Sequence, residues 1–73
     1  MKESDLLDLG FDQYEEDDFY YYSLDFGGGF SLISNASDEW SLDGIEVSIF
    51  DTDIIFRNAS DLWEFVEILK RIT

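Results

Sequence analysis

The chain has no cysteine and no histidine, and only 4 of its 73 residues are Lys or Arg. Each shortage excludes something. The usual staples of a very small domain, a disulfide or a structural zinc, cannot be built without Cys or His. The same absences remove the Ser-His and Cys-His pairings that activate a nucleophile near neutral pH. The scarcity of bases leaves 18 acids almost unopposed, with Lys2 the only base before Arg57 and a formal net charge of -14. A charge of that sign disfavours free DNA, RNA or an anionic membrane as ligand. No apolar run approaches the roughly 20 residues of a membrane span. The opening Met1-Lys2-Glu3-Ser4-Asp5 lacks the apolar stretch of a secretory signal. The expectation is a soluble, cytoplasmic protein in which the Asn-Ala-Ser triplets at Asn35 and Asn58 are not glycosylated.

What is present is aromatic and periodic. Hydrophobic residues make up 45% of the chain, with 7 Phe, 4 Tyr and 2 Trp. A chain of this size buries only about 60% of its unfolded surface. Large rings, or self-association, must therefore supply much of the stability. A net charge this high could mean disorder, but the arrangement of the apolar residues argues for one folded domain spanning 1–73.

The clearest element is a C-terminal helix over residues 58–72. Leu62, Phe65, Val66, Leu69 and Ile72 fall on one stripe of a 3.6-residue period. Asn58 is a good N-cap, Asp61 suits the positive end of the dipole, and Lys70 and Arg71 suit the negative end. Ahead of it, residues 19–57 read as an antiparallel meander. Tyr20, Tyr22, Leu24 and Phe26 alternate inward on one strand, and three glycines at 27–29 make its turn. Phe30, Leu32 and Ser34 face the same way on the return. Residues 35–38 form a second turn, 40–42 a short strand, and Asp43-Gly44 a hairpin turn. Ile45, Val47 and Ile49 alternate on the next strand, Asp51-Thr52-Asp53 turns the chain, and residues 54–57 are the last strand.

The first 18 residues are an acidic segment. Ser4 to Leu9 reads as a short helical turn capped by Ser4 and ended by Gly10, returning Phe11 to the core. Residues 12–18 are so dense in like charge that no regular element favours them, and they are expected to be an exposed loop or a frayed strand start. The fold class is thus α+β: four to five antiparallel strands, a short N-terminal helical turn and one C-terminal helix packed on a face. The expected core is Leu6, Leu9, Phe11, Tyr22, Leu24, Phe26, Phe30, Leu32, Trp40, Ile45, Val47, Ile49, Ile54, Phe56, Leu62, Phe65, Val66 and Leu69. Asn-Ala-Ser-Asp occurs at both 35–38 and 58–61, and shared turn-starting chemistry accounts for it better than duplication.

Nothing in this inventory is catalytic. Close carboxylate pairs follow from acid density alone, and a domain this small has little room for a substrate cleft. Asp51 and Asp53 have the one-apart spacing that opens a calcium loop, but the Gly and distal Glu are missing. No enzyme activity, metal or other cofactor is expected. The charge itself is the functional signal. Exposed carboxylates on alternate strand residues stand about 6.6 Å apart at about 3.3 Å per residue, comparable to neighbouring phosphates along one nucleic-acid strand. Interleaved rings such as Tyr14, Phe19 and Tyr21 can take the place of bases or act as anchors.

In layout the chain resembles the small, acidic, aromatic-rich proteins of bacteriophages and mobile elements. The likeness rests on the opening Leu6-Leu7-Asp8-Leu9-Gly10-Phe11, the Asp/Glu-Tyr/Phe strand and the closing Asp61-Leu62-Trp63-Glu64-Phe65 helix. That class includes anti-CRISPR proteins and DNA mimics that block nucleases. The resemblance implies an inhibitor acting in the bacterial cytoplasm on a basic partner, a nuclease or another nucleic-acid-binding protein. The main acidic surface would be Asp12, Glu15, Glu16, Asp17, Asp18 and Asp25 with Tyr21. Asp38, Glu39, Asp43, Glu46, Asp51 and Asp53 would form a second surface. The same electrostatics would serve an immunity protein or antitoxin that neutralises a basic toxin. A third reading is a self-associating structural or assembly protein, for which a homodimer is the simplest form.

Overall fold

The computed structural model describes residues 1–40 and 44–72. The chain forms α1 (Glu3–Leu9), β1 (Asp12–Glu15), β2 (Tyr20–Gly27) and β3 (Phe30–Ser34), then a 3-10 turn (Ser37–Glu39). β4 (Val47–Ile49), β5 (Ile55–Phe56) and α2 (Ala59–Ile72) complete this α+β fold. Among the described residues the five strands are antiparallel and lie across the sheet in chain order, with short connections at every step except β3 to β4, which are joined through residues 35–46.

Local chemistry accounts for the ends of the elements. α1 begins one residue before the expected Ser4, because the Lys2 N–H donates to Asp5 Oδ2 at 2.9 Å and frees Ser4 from that task. Gly10 closes the helix, its N–H donating to Leu7 O and that of Phe11 to Leu6 O. At the start of α2, Asn58 Oδ1 accepts the Ser60 N–H at 2.9 Å. The three glycines after Phe26 all take positive φ, and Gly27 donates to Asp25 Oδ1 where a bulge shifts the β2–β3 register.

Both helices cover one face of the sheet. Leu6, Leu9 and Phe11 meet Tyr22, Leu32, Ile45, Val47, Leu62 and Val66 in a buried cluster. Tyr20, Leu24, Phe26, Trp40, Ile49, Phe56 and Phe65 pack round its margin. Phe65 of α2 lies 5.0 Å from the Phe56 ring and 6.4 Å from Phe30, which in turn approaches Phe26. Among the described residues, Ser34 is the buried polar one. Its hydroxyl accepts the Tyr22 N–H at 2.8 Å and donates to Asn35 O at 3.0 Å, carrying the β2–β3 pairing one step beyond Ser23↔Ile33.

Four sequence expectations are corrected. Residues 12–15 are a regular strand. Their cross-strand partners, Ser23, Tyr22, Tyr21 and Tyr20, are neutral, and at the sheet edge every carboxylate faces water, so like-charge repulsion never opposes the pairing. Ile54 is not core but 54% exposed, at the turn end of the edge hairpin opposite Ile49. Leu69 is only half-buried. Trp40 belongs to no strand and follows the 3-10 turn, held by its indole N–H donating to Asn35 O at 2.9 Å; Ser41, Leu42 and the Asp43 half of the expected hairpin lie outside the described residues. The repeated Asn-Ala-Ser-Asp thus leads into a helical turn at both sites.

Candidate partner-binding surface

The antiparallel register decides where the acids gather. β1 ends opposite Tyr20, and the Glu16 N–H donating to Phe19 O at 2.8 Å closes a tight turn over residues 16–19. The 3-10 turn abuts this end of the sheet, because the Tyr20 N–H donates to Ser37 Oγ at 3.0 Å. Glu15, Glu16, Asp17 and Asp18 are therefore neighbours of Asp38 and Glu39, and all six are exposed. An open hollow of about 280 Å³ is lined by the four acids at 15–18 with Phe19, Tyr20 and Ser37. The sequence assigned Asp38 and Glu39 to a second surface; the Ser37 bond brings them to the first.

The remaining candidates separate. Asp12 is exposed on β1 near mid-sheet, opposite Ser23. Asp25 is exposed toward the far end of β2, about 16 Å from Tyr20 at about 3.3 Å per strand residue. Asp51 and Asp53 lie toward that far end too, since the Phe50 N–H donates to Ser31 O and Ser31 pairs with Asp25. Thr52 Oγ1 donates to Ile49 O at 2.8 Å and accepts the Ile54 N–H, so this segment is a polar turn. Glu46 has its own cation, Arg57 Nε at 3.5 Å, in a water-exposed pair of about 1 kcal/mol or less. Asp43 lies outside the described residues. Among the described residues, no three carboxylates are grouped to hold a metal ion.

The rings line up with the acids. Tyr21 stacks on Tyr14 across β1 and β2, centroids 5.6 Å apart and planes within 17°. Phe19 lies 6.5 Å from Tyr21. Both tyrosines occupy the sheet face opposite the helices, since Tyr22 on the alternate parity is buried. β1 itself carries two carboxylates, Asp12 and Glu15, whose positions point to opposite faces. The acid density thus comes from the turn and not from an alternating ladder along the strand.

Behind the surface, an aromatic brace holds β2 in place. Tyr20 meets Trp40 edge-on at 5.3 Å, and Tyr22 stacks parallel to Trp40 at 6.4 Å. The Tyr20 hydroxyl donates to Glu3 Oε1 of α1. That bond, with burial and the Glu3 charge, pushes the Tyr20 phenol up to about 12 from its ordinary 10.0. Burial, followed by the Glu3 charge, raises Tyr22 as well. Nothing in the spacing of the sequence signals the Glu3–Tyr20 bond, because it joins residues 17 apart on different elements.

Comparison with protein-family models, curated proteins and solved structures finds no match to this chain, so the functional reading rests on the surface itself. No helix among the described residues is long and apolar enough to cross a membrane.

Proposed function

We propose that the protein is a stoichiometric inhibitor that occupies the basic nucleic-acid site of a partner protein. The observation that carries this reading is the acidic end of the sheet. Six exposed carboxylates gather here: Glu15 at the end of β1, Glu16, Asp17 and Asp18 on the turn that follows, and Asp38 and Glu39 on the adjoining 3-10 turn. The Tyr14–Tyr21 stack lies on the strands beside them, and Phe19 closes the turn next to Tyr21. Carboxylates offered at this density present a phosphate-binding surface with the charge it is built to receive. The rings supply apolar anchors where a nucleic acid would offer bases. Steering by a net charge of -14 accelerates encounter with a basic protein, by about 10- to 1,000-fold for strongly complementary surfaces at low salt.

The test uses a basic nuclease or other nucleic-acid-binding protein from the same cells and measures how its DNA binding is displaced by this chain. One-to-one inhibition that weakens as salt rises is expected. A variant with Glu15, Glu16, Asp17 and Asp18 all changed to Ser should lose at least about tenfold in affinity, since each desolvated charge pair contributes on the order of 1 kcal/mol or more. Unchanged inhibition by that variant would remove the site from these turns. Salt-independent inhibition would remove electrostatic mimicry as the mechanism.

A further inference from the structure

α2 has a second face that the core does not use. Its inner side buries Leu62 and Val66 and sets Phe65 against Phe56 and Phe30. On its outer side, Trp63, Glu67 and Arg71 form one row at four-residue spacing, and Glu64, Ile68 and Ile72 form the next. A groove of about 320 Å³ runs between the rows, lined by Trp63, Glu64, Glu67, Ile68 and Arg71. Trp63 is 46% exposed, Ile68 54% and Ile72 74%. Indole and isoleucine surface in this quantity is costly to leave in water.

The charge of this stripe distinguishes its occupant. Two of the four basic residues in the chain, Lys70 and Arg71, close α2, while Asp61, Glu64 and Glu67 precede them. The stripe therefore runs from acid to base along the helix. A uniformly basic partner suited to the acidic end of the sheet would match Asp61, Glu64 and Glu67 but oppose Lys70 and Arg71 at the other end of the stripe. A second α2 laid antiparallel meets the complementary order instead.

We infer that the outer face of α2 is a homodimer interface, two copies packing their α2 helices antiparallel about a two-fold axis at the level of Glu67 and Ile68. Glu64 and Arg71 are two turns apart, about 10 Å at 1.5 Å per residue. The two-fold thus sets Glu64 of each copy against Arg71 of the other and forms two identical charge pairs. Trp63 of each copy falls against Ile72 of the other, and the two Ile68 side chains meet near the axis. The i, i+4 rows of one helix enter the groove of the other, the common ridge-into-groove packing of helices. Because α2 lies on the core side of the sheet, the dimer leaves the Tyr14–Tyr21 face uncovered and does not depend on the inhibitor reading.

The dimer joins two chains of charge -14 each, so salt screens a net repulsion and should tighten it. That is the opposite of the salt dependence expected for a basic partner. Sedimentation equilibrium of the purified full chain, at about 0.05 M and about 0.5 M salt, reads this directly. We expect mass to rise toward twice the 8.5 kDa monomer with concentration, more readily at high salt. Arg71→Glu and Glu64→Arg should each weaken the dimer at least about tenfold by setting like charges against each other at both ends. The double variant, carrying both changes, should recover dimerisation. Trp63→Ala should also weaken it at least about tenfold. All three positions are exposed, so unchanged circular dichroism and thermal midpoint would verify folding. A monomer at every salt and concentration, singles that dimerise like the parent, or a double variant that fails to recover would each overturn the inference. A monomer whose Trp63→Ala change instead abolishes binding to another protein would assign the groove to that protein.

Discussion

Gly44 is the glycine at which an added side chain would be accommodated least. It sits at φ 91°, where L residues are strained, and a Cβ there would lie 2.7 Å from Met1 O and 2.9 Å from Met1 N. The contact is with backbone, and the Ile45 N–H donates to Met1 O at 3.0 Å beside it, so neither side yields cheaply. Gly44→Ala should lower stability by about 2 kcal/mol or more, combining left-handed strain with displacement of the first residues; chemical denaturation measures it. Tyr20 contributes differently. Its phenol is raised from 10.0 to about 12 in the folded chain, so between those values the folded state retains a proton that the unfolded state releases. The stabilisation is complete below pH 10.0 and is lost as pH rises through about 12. Tyr20→Phe should flatten the alkaline fall in denaturant midpoint across that window, leaving a smaller fall from Tyr22, which is shifted in the same direction.

At the scale of the element, β1 and α2 illustrate opposite sources of stability. β1 has four exposed residues and holds through its pairing with β2 and the Tyr14–Tyr21 stack. Replacing the acids at 15–18 by Ser removes like-charge repulsion from the adjoining turn without touching a buried group. The thermal midpoint of that variant should match or exceed the parent, which separates loss of binding from loss of fold. α2 holds through burial. Leu62 is 0% exposed, and Leu62→Ala should cost about 2–5 kcal/mol. Chains of this length have total stabilities of only about 4–11 kcal/mol at typical per-residue values. A large loss of native signal in mild denaturant is therefore expected, and retention of parental stability would mean that α2 is not integral to the core.

For the whole molecule the governing quantity is the net charge of -14. Self-repulsion acts against the compact state at low ionic strength and is screened over about 10 Å at 0.1 M salt. Raising salt should therefore raise the thermal midpoint, by several degrees if screening recovers about 1 kcal/mol, as about 4–8 °C per kcal/mol holds for small domains. Calorimetry across a salt series checks this, and a flat response would mean that the acids are spaced widely enough not to oppose folding. The same charge sets both proposed associations apart, since salt weakens a complex with a basic partner and strengthens a pairing of like-charged copies.

The sequence by itself determined the class of fold and most of the core, Ile54 and Leu69 excepted. Among the described residues, every buried apolar residue, from Leu6 to Val66, is one the sequence assigned to the core: Tyr22, Leu32, Ile45, Val47, Leu62 and Val66 through the two- and 3.6-residue periods, Leu6, Leu9 and Phe11 through the short capped turn that ends at Gly10. The short turns at 27–29 and 51–53 were legible too and leave their strands no neighbour but the next one, whereas β3 and β4 are joined through residues 35–46 and their pairing came from the fold. Only the tertiary structure decided which acids share a surface. Asp38 and Glu39 join residues 15–18 through a hydrogen bond from Tyr20 to Ser37, 17 residues apart, whereas Asp51 and Asp53 are carried toward the opposite end of the sheet. Charge density is blind to such placement, because one carboxylate in a sequence looks like any other until the register assigns it an end. The strand character of residues 12–15 was hidden for a related reason: repulsion depends on what lies across the ladder, and the neutral partners there, Ser23 and three tyrosines, are known only once the strands are paired.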